Sequence, residues 1–184
     1  LGERGSWNAI GPSNATIAAS PLTYYKFHAN EGGLRVPLVM AGPGISRQGD
    51  MTDEFVFVTD LAPTILSLVD ADNHDGSWLG REVEPIIGAD FSGFLAGSPT
   101  SVHDEFDAIG YELGGNSALF KGDYKIVINR TGQSETTWHL FNIRTDPGEA
   151  RDLAQKQPGL LGEMIADYEI YVQDNNVLPM PESY

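Results

Sequence analysis

The spacing of apolar positions changes character along these 184 residues. Val36-Pro-Leu-Val-Met-Ala41 is a short, continuous apolar run. Such a run suits a strand buried on both faces within a mostly parallel sheet. Pro37, which has no N–H to give, belongs at the first residues of that strand, and Gly42-Pro-Gly44 turns the chain after it. Between 60 and 70, Leu61, Ala62, Ile65, Leu66, Leu68 and Val69 recur at helical spacing. Asp60 stands at the N-cap position and Pro63 in the first turn, where a missing N–H is tolerated. A strand followed by a helix indicates an α/β layer. Residues 71–105 read as mixed loop with a short helix near Phe91 to Leu95.

Further on the chain changes to short strands separated by turns. Asp107–Glu112, Ser117–Phe120, Tyr124–Asn129 and Trp138–Asn142 are short strand candidates. Gly114-Gly115, Lys121-Gly-Asp123 and Thr131-Gly132 are the turns between them. Strands so closely spaced predict an antiparallel meander. A last helix is predicted from Pro158 to Val172. Its apolar set, Leu161, Met164, Ile165, Tyr168 and Val172, forms one stripe that should lie on the small sheet. Residues 1–23, rich in Gly, Ser, Asn, Ala and Pro, read as loop, and the tail after Asp174 as extended chain. The division predicted is residues 1–100 as a piece of a large α/β domain and residues 101–184 as a small α+β subdomain.

The formal net charge is -15 and the pI near 4.4. Phosphates would be repelled, so nucleic acid is excluded as a partner, and so is an anionic membrane surface. With no Cys, disulfides, thiolate catalysis and Cys-ligated zinc are excluded within the chain. No apolar run approaches the roughly 20 residues that span a bilayer. The N-terminus has neither an initiator Met nor the pattern of a signal peptide, so the chain is expected to start inside a longer or processed protein.

Candidate chemistry centres on Lys26-Phe-His-Ala-Asn-Glu31-Gly-Gly-Leu-Arg35-Val-Pro37. Lys26 lies among Tyr24, Tyr25 and Phe27, and a partly desolvated ammonium binds an anion more strongly than an exposed one. Glu31, five residues on, either opens the turn into the strand or pairs with Lys26 and neutralises it. His28 could donate to an anion or a leaving oxygen, or simply pack. Asp70-Ala-Asp-Asn-His-Asp-Gly76 imitates a calcium loop, but its Gly and Glu82 each fall one position late for an EF-hand. It reads as a polar turn. Asp146-Pro-Gly-Glu149 reads as a turn with Asp146 capping a short helical segment rather than as a metal site. Trp138, Tyr124 and Phe141 read as core. No Ser stands in a Gly-x-Ser-x-Gly context.

An ordered set of segments resembles the C-terminal part of a sulfatase of the alkaline-phosphatase superfamily, most similar to bacterial arylsulfatases. The segments are Trp7-Asn8 with Asn14-Ala15, Ser20-Pro-Leu-Thr-Tyr-Tyr-Lys26, and Glu31-Gly-Gly-Leu-Arg-Val-Pro37. They continue with Thr59-Asp60-Leu-Ala-Pro63-Thr64, Tyr111 to Lys125, and Leu140 to Glu149. The resemblance implies a mixed α/β sheet domain followed by a small four-stranded antiparallel sheet with a C-terminal helix. It implies hydrolysis of a sulfate ester by a formylglycine, made from the Cys or Ser of a Cys/Ser-x-Pro-x-Arg motif, beside a calcium ion. A lysine ahead of the Glu-Gly-Gly turn binds a sulfate oxygen in that family, and Lys26 matches its position.

The nucleophile motif and the acidic metal ligands are not found in this sequence. The resemblance therefore implies a chain that contributes Lys26 and a C-terminal subdomain to a sulfatase parent. Calcium, formylglycine and the N-terminal catalytic domain would be supplied from elsewhere, and the chain by itself should be inactive and expose an apolar face. A phosphonate or phosphate ester hydrolase of the same superfamily is the alternative within enzymes. A structural or binding module without activity is the alternative outside them. Sulfatases of this kind are often periplasmic or secreted.

Overall fold

The structure, a computed structural model, describes residue 4 and residues 10–72, 76–130 and 137–179. In chain order the elements are α1 (Gly11–Ala19), α2 (Glu31–Leu34), a 3-10 turn (Val58–Asp60), and α3 (Leu61–Leu68). Two short strands, β1 (Ser77–Trp78) and β2 (Arg81–Glu82), precede α4 (Ser92–Leu95). Then come β3 (Ala108–Leu113), β4 (Asn116–Lys121), β5 (Tyr124–Ile128), β6 (His139–Asn142) and α5 (Pro158–Asp174). The chain divides into two compact units, one of Leu1–Val36 with Glu105–Tyr184 and one of Pro37–Asp104.

The first unit is built on a four-stranded antiparallel sheet in the order β3-β4-β5-β6, the meander predicted from its short strands. Register decides which face each residue takes, because a slip by one residue would turn every side chain to the other face. Leu119 pairs with Ile126 and Ile126 with Leu140, so the three line one face. Met164 and Tyr168 of α5 complete a buried cluster with them, flanked by Leu161, Ile165, Tyr171 and Val172. The predicted stripe of α5 is thus the one that meets the sheet. Trp138 stands edge-on to Tyr168 at 4.9 Å, and Phe141 is buried, in accord with their reading as core.

Gly110 on β3 lies beneath Tyr171. A Cβ there would overlap the ring, so the glycine is what lets helix and strand approach so closely.

In the second unit, Asp60 and Thr64 fasten α3 to neighbouring loops. Thr64 Oγ1 donates to Asp60 O at 2.7 Å and accepts from the backbone N–H of Phe91 at 3.0 Å. Pro63 falls in the first turn of α3, as predicted. Asp60 does not act as a side-chain N-cap. Its carboxylate accepts the N–H of Phe57 at 2.6 Å and of Ala89 at 2.8 Å, with His103 Nε2 also 2.8 Å away. Arg47 donates to the carbonyls of Phe94 and Ser98 and lies over the Phe94 ring. It thereby secures the short helix α4, placed where the sequence suggests one.

Three expectations need correction. Residues 36–41 are not a strand: they have no regular secondary structure and join no ladder among the described residues. Val36 is 77% and Val39 90% exposed. An apolar run supplies side chains for a buried strand, but only a neighbouring strand supplies its hydrogen bonds. Residues 1–23 are not all loop, since α1 runs through them. Pro12 starts it, and Asn14 and Thr16 bond back to carbonyls four residues earlier. It buries no residue, which is why no apolar stripe announces it. Finally, the segment after Asp146 is a run of turns with no helix before Pro158. Asp146 Oδ2 closes its turn by accepting the N–H of Arg151 at 2.8 Å.

Trp7-Asn8, the centre of the Asp70–Gly76 loop, the Thr131-Gly132 turn and the end of the tail lie outside the described residues.

Candidate functional site

Residues 23–31 form a looped segment that presents Lys26 at its crest. Tyr24 and Phe27, on either side of it, have left-handed backbones with φ of 60° and 81°. Bulky residues hold that conformation only when the surroundings enforce it. His28 helps to do so. Its ring stacks on Tyr24 at 4.5 Å, meets Tyr25 edge-on, and has Nδ1 3.1 Å from the carbonyl of Tyr25. Half-buried and in contact with both tyrosine rings, His28 braces the loop. Lys26 is exposed, with its ammonium 5.0 Å from the centre of the Phe27 ring. Among the described residues it makes no ion pair.

The loop ends in α2, the Glu-Gly-Gly element. It is a single helical turn pressed against the loop's own backbone. A Cβ at Gly32 would strike the carbonyls of Tyr24 and Thr23, and one at Gly33 the carbonyl of His28. Gly32 N–H donates to Thr23 O at 2.9 Å, and Thr23 Oγ1 donates to the carbonyl of Gly148. The glycine pair is therefore required by close approach.

Glu31 does not pair with Lys26. It is buried, and its Oε1 lies 2.9 Å from Nζ of Lys125. Lys125 projects from β5 on the sheet face away from α5 and is 0% exposed. Its ammonium also meets Oε1 of Glu149 at 2.6 Å and lies 5.3 Å from the Phe120 ring. Glu149 Oε2 accepts the backbone N–H of Glu31 at 2.9 Å, and Arg35 approaches Glu31 Oε2 at 3.8 Å. Two cations thus face two carboxylates, Glu149 Oε1 being met by the Lys125 ammonium and its Oε2 by a single backbone N–H. That balance is what a buried ionic group needs to be tolerated. The left-handed backbone of Glu149, φ 52°, turns its carboxylate inward from the Asp146-Pro-Gly turn.

Two asparagines complete the grip. Ser117 pairs with Ile128 across the sheet, which brings Asn116 and Asn129 to the same end of β4 and β5, both buried. Asn116 Nδ2 donates to Phe27 O at 2.6 Å while its Oδ1 accepts the N–H of Arg130 at 2.9 Å. Asn129 Oδ1 accepts the N–H of Ala29 at 2.8 Å, and its Nδ2 donates to Asn30 Oδ1 at 2.6 Å.

The sequence singled out Lys26, His28 and Glu31 but missed Lys125, Glu149, Asn116 and Asn129. One signal was available for Lys125. It alternates with Val127 on β5 opposite Phe120 and Phe141, so its face of the sheet is apolar too, and a lysine there must find a buried anion.

Chemically, the arrangement offers one exposed cation on a stiffened loop. Among the described residues no group of three or more His, Asp or Glu side chains comes together to hold a metal ion. The described residues do not fit a calcium centre, and no step through one follows from them.

Comparison with known proteins agrees with this architecture. A family model described as Sulfatase matches residues 9–71. An uncharacterized sulfatase of Schizosaccharomyces pombe is 32% identical over 185 residues, covering all of this chain and 33% of that protein. An arylsulfatase of Klebsiella aerogenes is 31% identical over 93 residues, covering 50% of this chain and 20% of that protein. The crystal structure of Ps i-CgsB superposes with a TM-score of 0.67 at 24% identity, covering 85% of this chain and 33% of that one. The chain spans about a third of the length of its full-length curated match. It is a partial, C-terminal-type region of the sulfatase fold, and its relatives are sulfatases.

Proposed function

We propose that the protein to which this region belongs is a sulfuric ester hydrolase, and that Lys26 holds one oxygen of the substrate's sulfate. The relatives support the class: the Klebsiella aerogenes protein is an arylsulfatase. One observation carries the role of Lys26. The carboxylate that could have neutralised it, Glu31, is committed to Lys125, so the charge of Lys26 stays available to a ligand.

Sulfuryl transfer leaves charge on the sulfate oxygens and on the leaving oxygen. A preplaced cation that gains in interaction as that charge develops lowers the barrier. Lys26 suits the task because its loop is fixed before substrate arrives. The region holds no Cys and no Ser-x-Pro-x-Arg. The formylglycine and calcium of the proposed chemistry would therefore come from other parts of the protein, and this region by itself should not turn over nitrophenyl sulfate.

The test is Lys26→Ala in the full-length protein, assayed with an aryl sulfate and, in parallel, an aryl phosphonate. Loss of about 10²–10³ in kcat/KM is expected, as for removal of other oxyanion donors. Turnover within a few-fold of the parent would remove Lys26 from the site. A preference for the phosphonate would move the protein to a different ester class.

A further inference from the structure

The sheet end formed by Asn116 and Asn129 grips the backbone immediately after Lys26, and nothing in the sulfate-binding reading requires a grip there. Both side chains are buried, and both reach out of the sheet to the loop, although Asn116 also accepts the N–H of Arg130 with its Oδ1. Asn116 donates to the carbonyl of Phe27, the residue next to Lys26. Asn129 uses both ends of its amide on the loop, accepting from Ala29 N–H and donating to Asn30 Oδ1.

The pair faces the loop because of register. With Ser117 opposite Ile128, residues 116 and 129 flank the point where the ladder stops, and from there their side chains reach the loop. One residue further along, Glu149 accepts the N–H of Glu31. Carbonyl 27 and amides 29 and 31 are thus each held by a side chain of the sheet or of the turn that follows it. The left-handed backbone at Phe27 is the kind of conformation that needs such support.

We infer that Asn116 and Asn129 are positioning residues for Lys26: they tie the loop to the C-terminal sheet so that the ammonium stands at a fixed place before sulfate binds. This rests on the reading of Lys26 as the sulfate-binding group. The small antiparallel sheet then has a role in the reaction through the loop it holds. Misplacing a charge by about an ångström is enough to lose much of its effect on a transition state.

The experiment combines kinetics with hydrogen exchange in the full-length protein. Asn129→Ala should lower kcat/KM for an aryl sulfate by about 10- to 100-fold. On a Lys26→Ala background the same change should add less than about twofold, because residues acting as a unit are non-additive. A peptide covering residues 23–31 should exchange its amides faster in Asn129→Ala, while one covering α5 should not. Asn116→Asp keeps the side chain's shape and its acceptor for Arg130 N–H but loses the donor to Phe27 O. It provides a second variant with the same expected signature if Asn129→Ala does not fold.

Equal losses on both backgrounds, or unchanged exchange at 23–31, would overturn the inference. If Lys26→Ala itself leaves turnover intact, it is the sulfate-binding reading that fails. The exchange data still decide whether the asparagines hold the loop.

Discussion

Glu31 and Lys125, ninety-four residues apart in sequence, form an ion pair of 2.9 Å in which the lysine is fully buried. The pair joins the turn after the Lys26 loop to the start of β5, and Glu149 closes it from a third direction. Its consequences can be measured.

Removing the cation strands two carboxylates in the interior. Lys125→Met should lower stability by about 3–5 kcal/mol, the usual penalty for breaking a buried pair from one side. Urea unfolding of the variant checks it. A loss below about 1 kcal/mol would mean that water reaches the site and the pair is effectively exposed.

Asp60 supports a second junction. Its carboxylate takes the N–H groups of Phe57 and Ala89 and faces His103, and it is itself buried. Asp60→Ala should cost about 2–4 kcal/mol, since two backbone donors lose their partner at once. Asp60→Asn, which keeps one acceptor oxygen, should cost less. Equal losses for the two variants would show that shape rather than hydrogen bonding is what matters at this position.

Gly110 tests the packing of α5 on the sheet. Gly110→Ala drives a methyl into the Tyr171 ring and should destabilise by about 1–3 kcal/mol, as overpacking does. Combining it with Tyr171→Leu should recover part of that loss. A double variant as unstable as the sum of the two singles would sink the steric account.

Lys121 gives a pH signature. Hydrogen bonds to Asp167, then Glu163, raise its pKa above the ordinary 10.5, against a smaller opposing effect of burial. A group whose pKa is raised by folding contributes stability that is complete below its unfolded pKa and vanishes as pH rises through the folded one. The Tm advantage of the parent over Lys121→Gln should therefore be constant at neutral pH and shrink in strongly alkaline solution. An advantage that does not change with pH would exclude the charge as its source.

Much of the fold was legible because it is local. The turns at Gly114-Gly115 and Lys121-Gly-Asp123 separate β3, β4 and β5, and each turn is written in a few neighbouring residues. The stripe from Leu161 to Val172 identifies the buried face of α5 before any partner is known. The helix α1 escaped because it buries nothing, so its formation leaves no mark in the hydrophobic pattern. The run at 36–41 misled for the opposite reason. Its composition is that of a buried strand, but strand pairing is not a property of one segment.

The Lys26 site divides along the same line. The sequence by itself determined the residue types: a lysine among aromatics, a histidine two positions on, and a glycine pair that permits close approach. It left open whether Glu31 neutralises Lys26. Only the tertiary structure decided that, by bringing Lys125 and Glu149 to Glu31 and Asn116 and Asn129 to the loop backbone. The physical reason is that a buried carboxylate takes whichever cation is desolvated beside it. Which one that is depends on the register of a sheet about a hundred residues further along the chain.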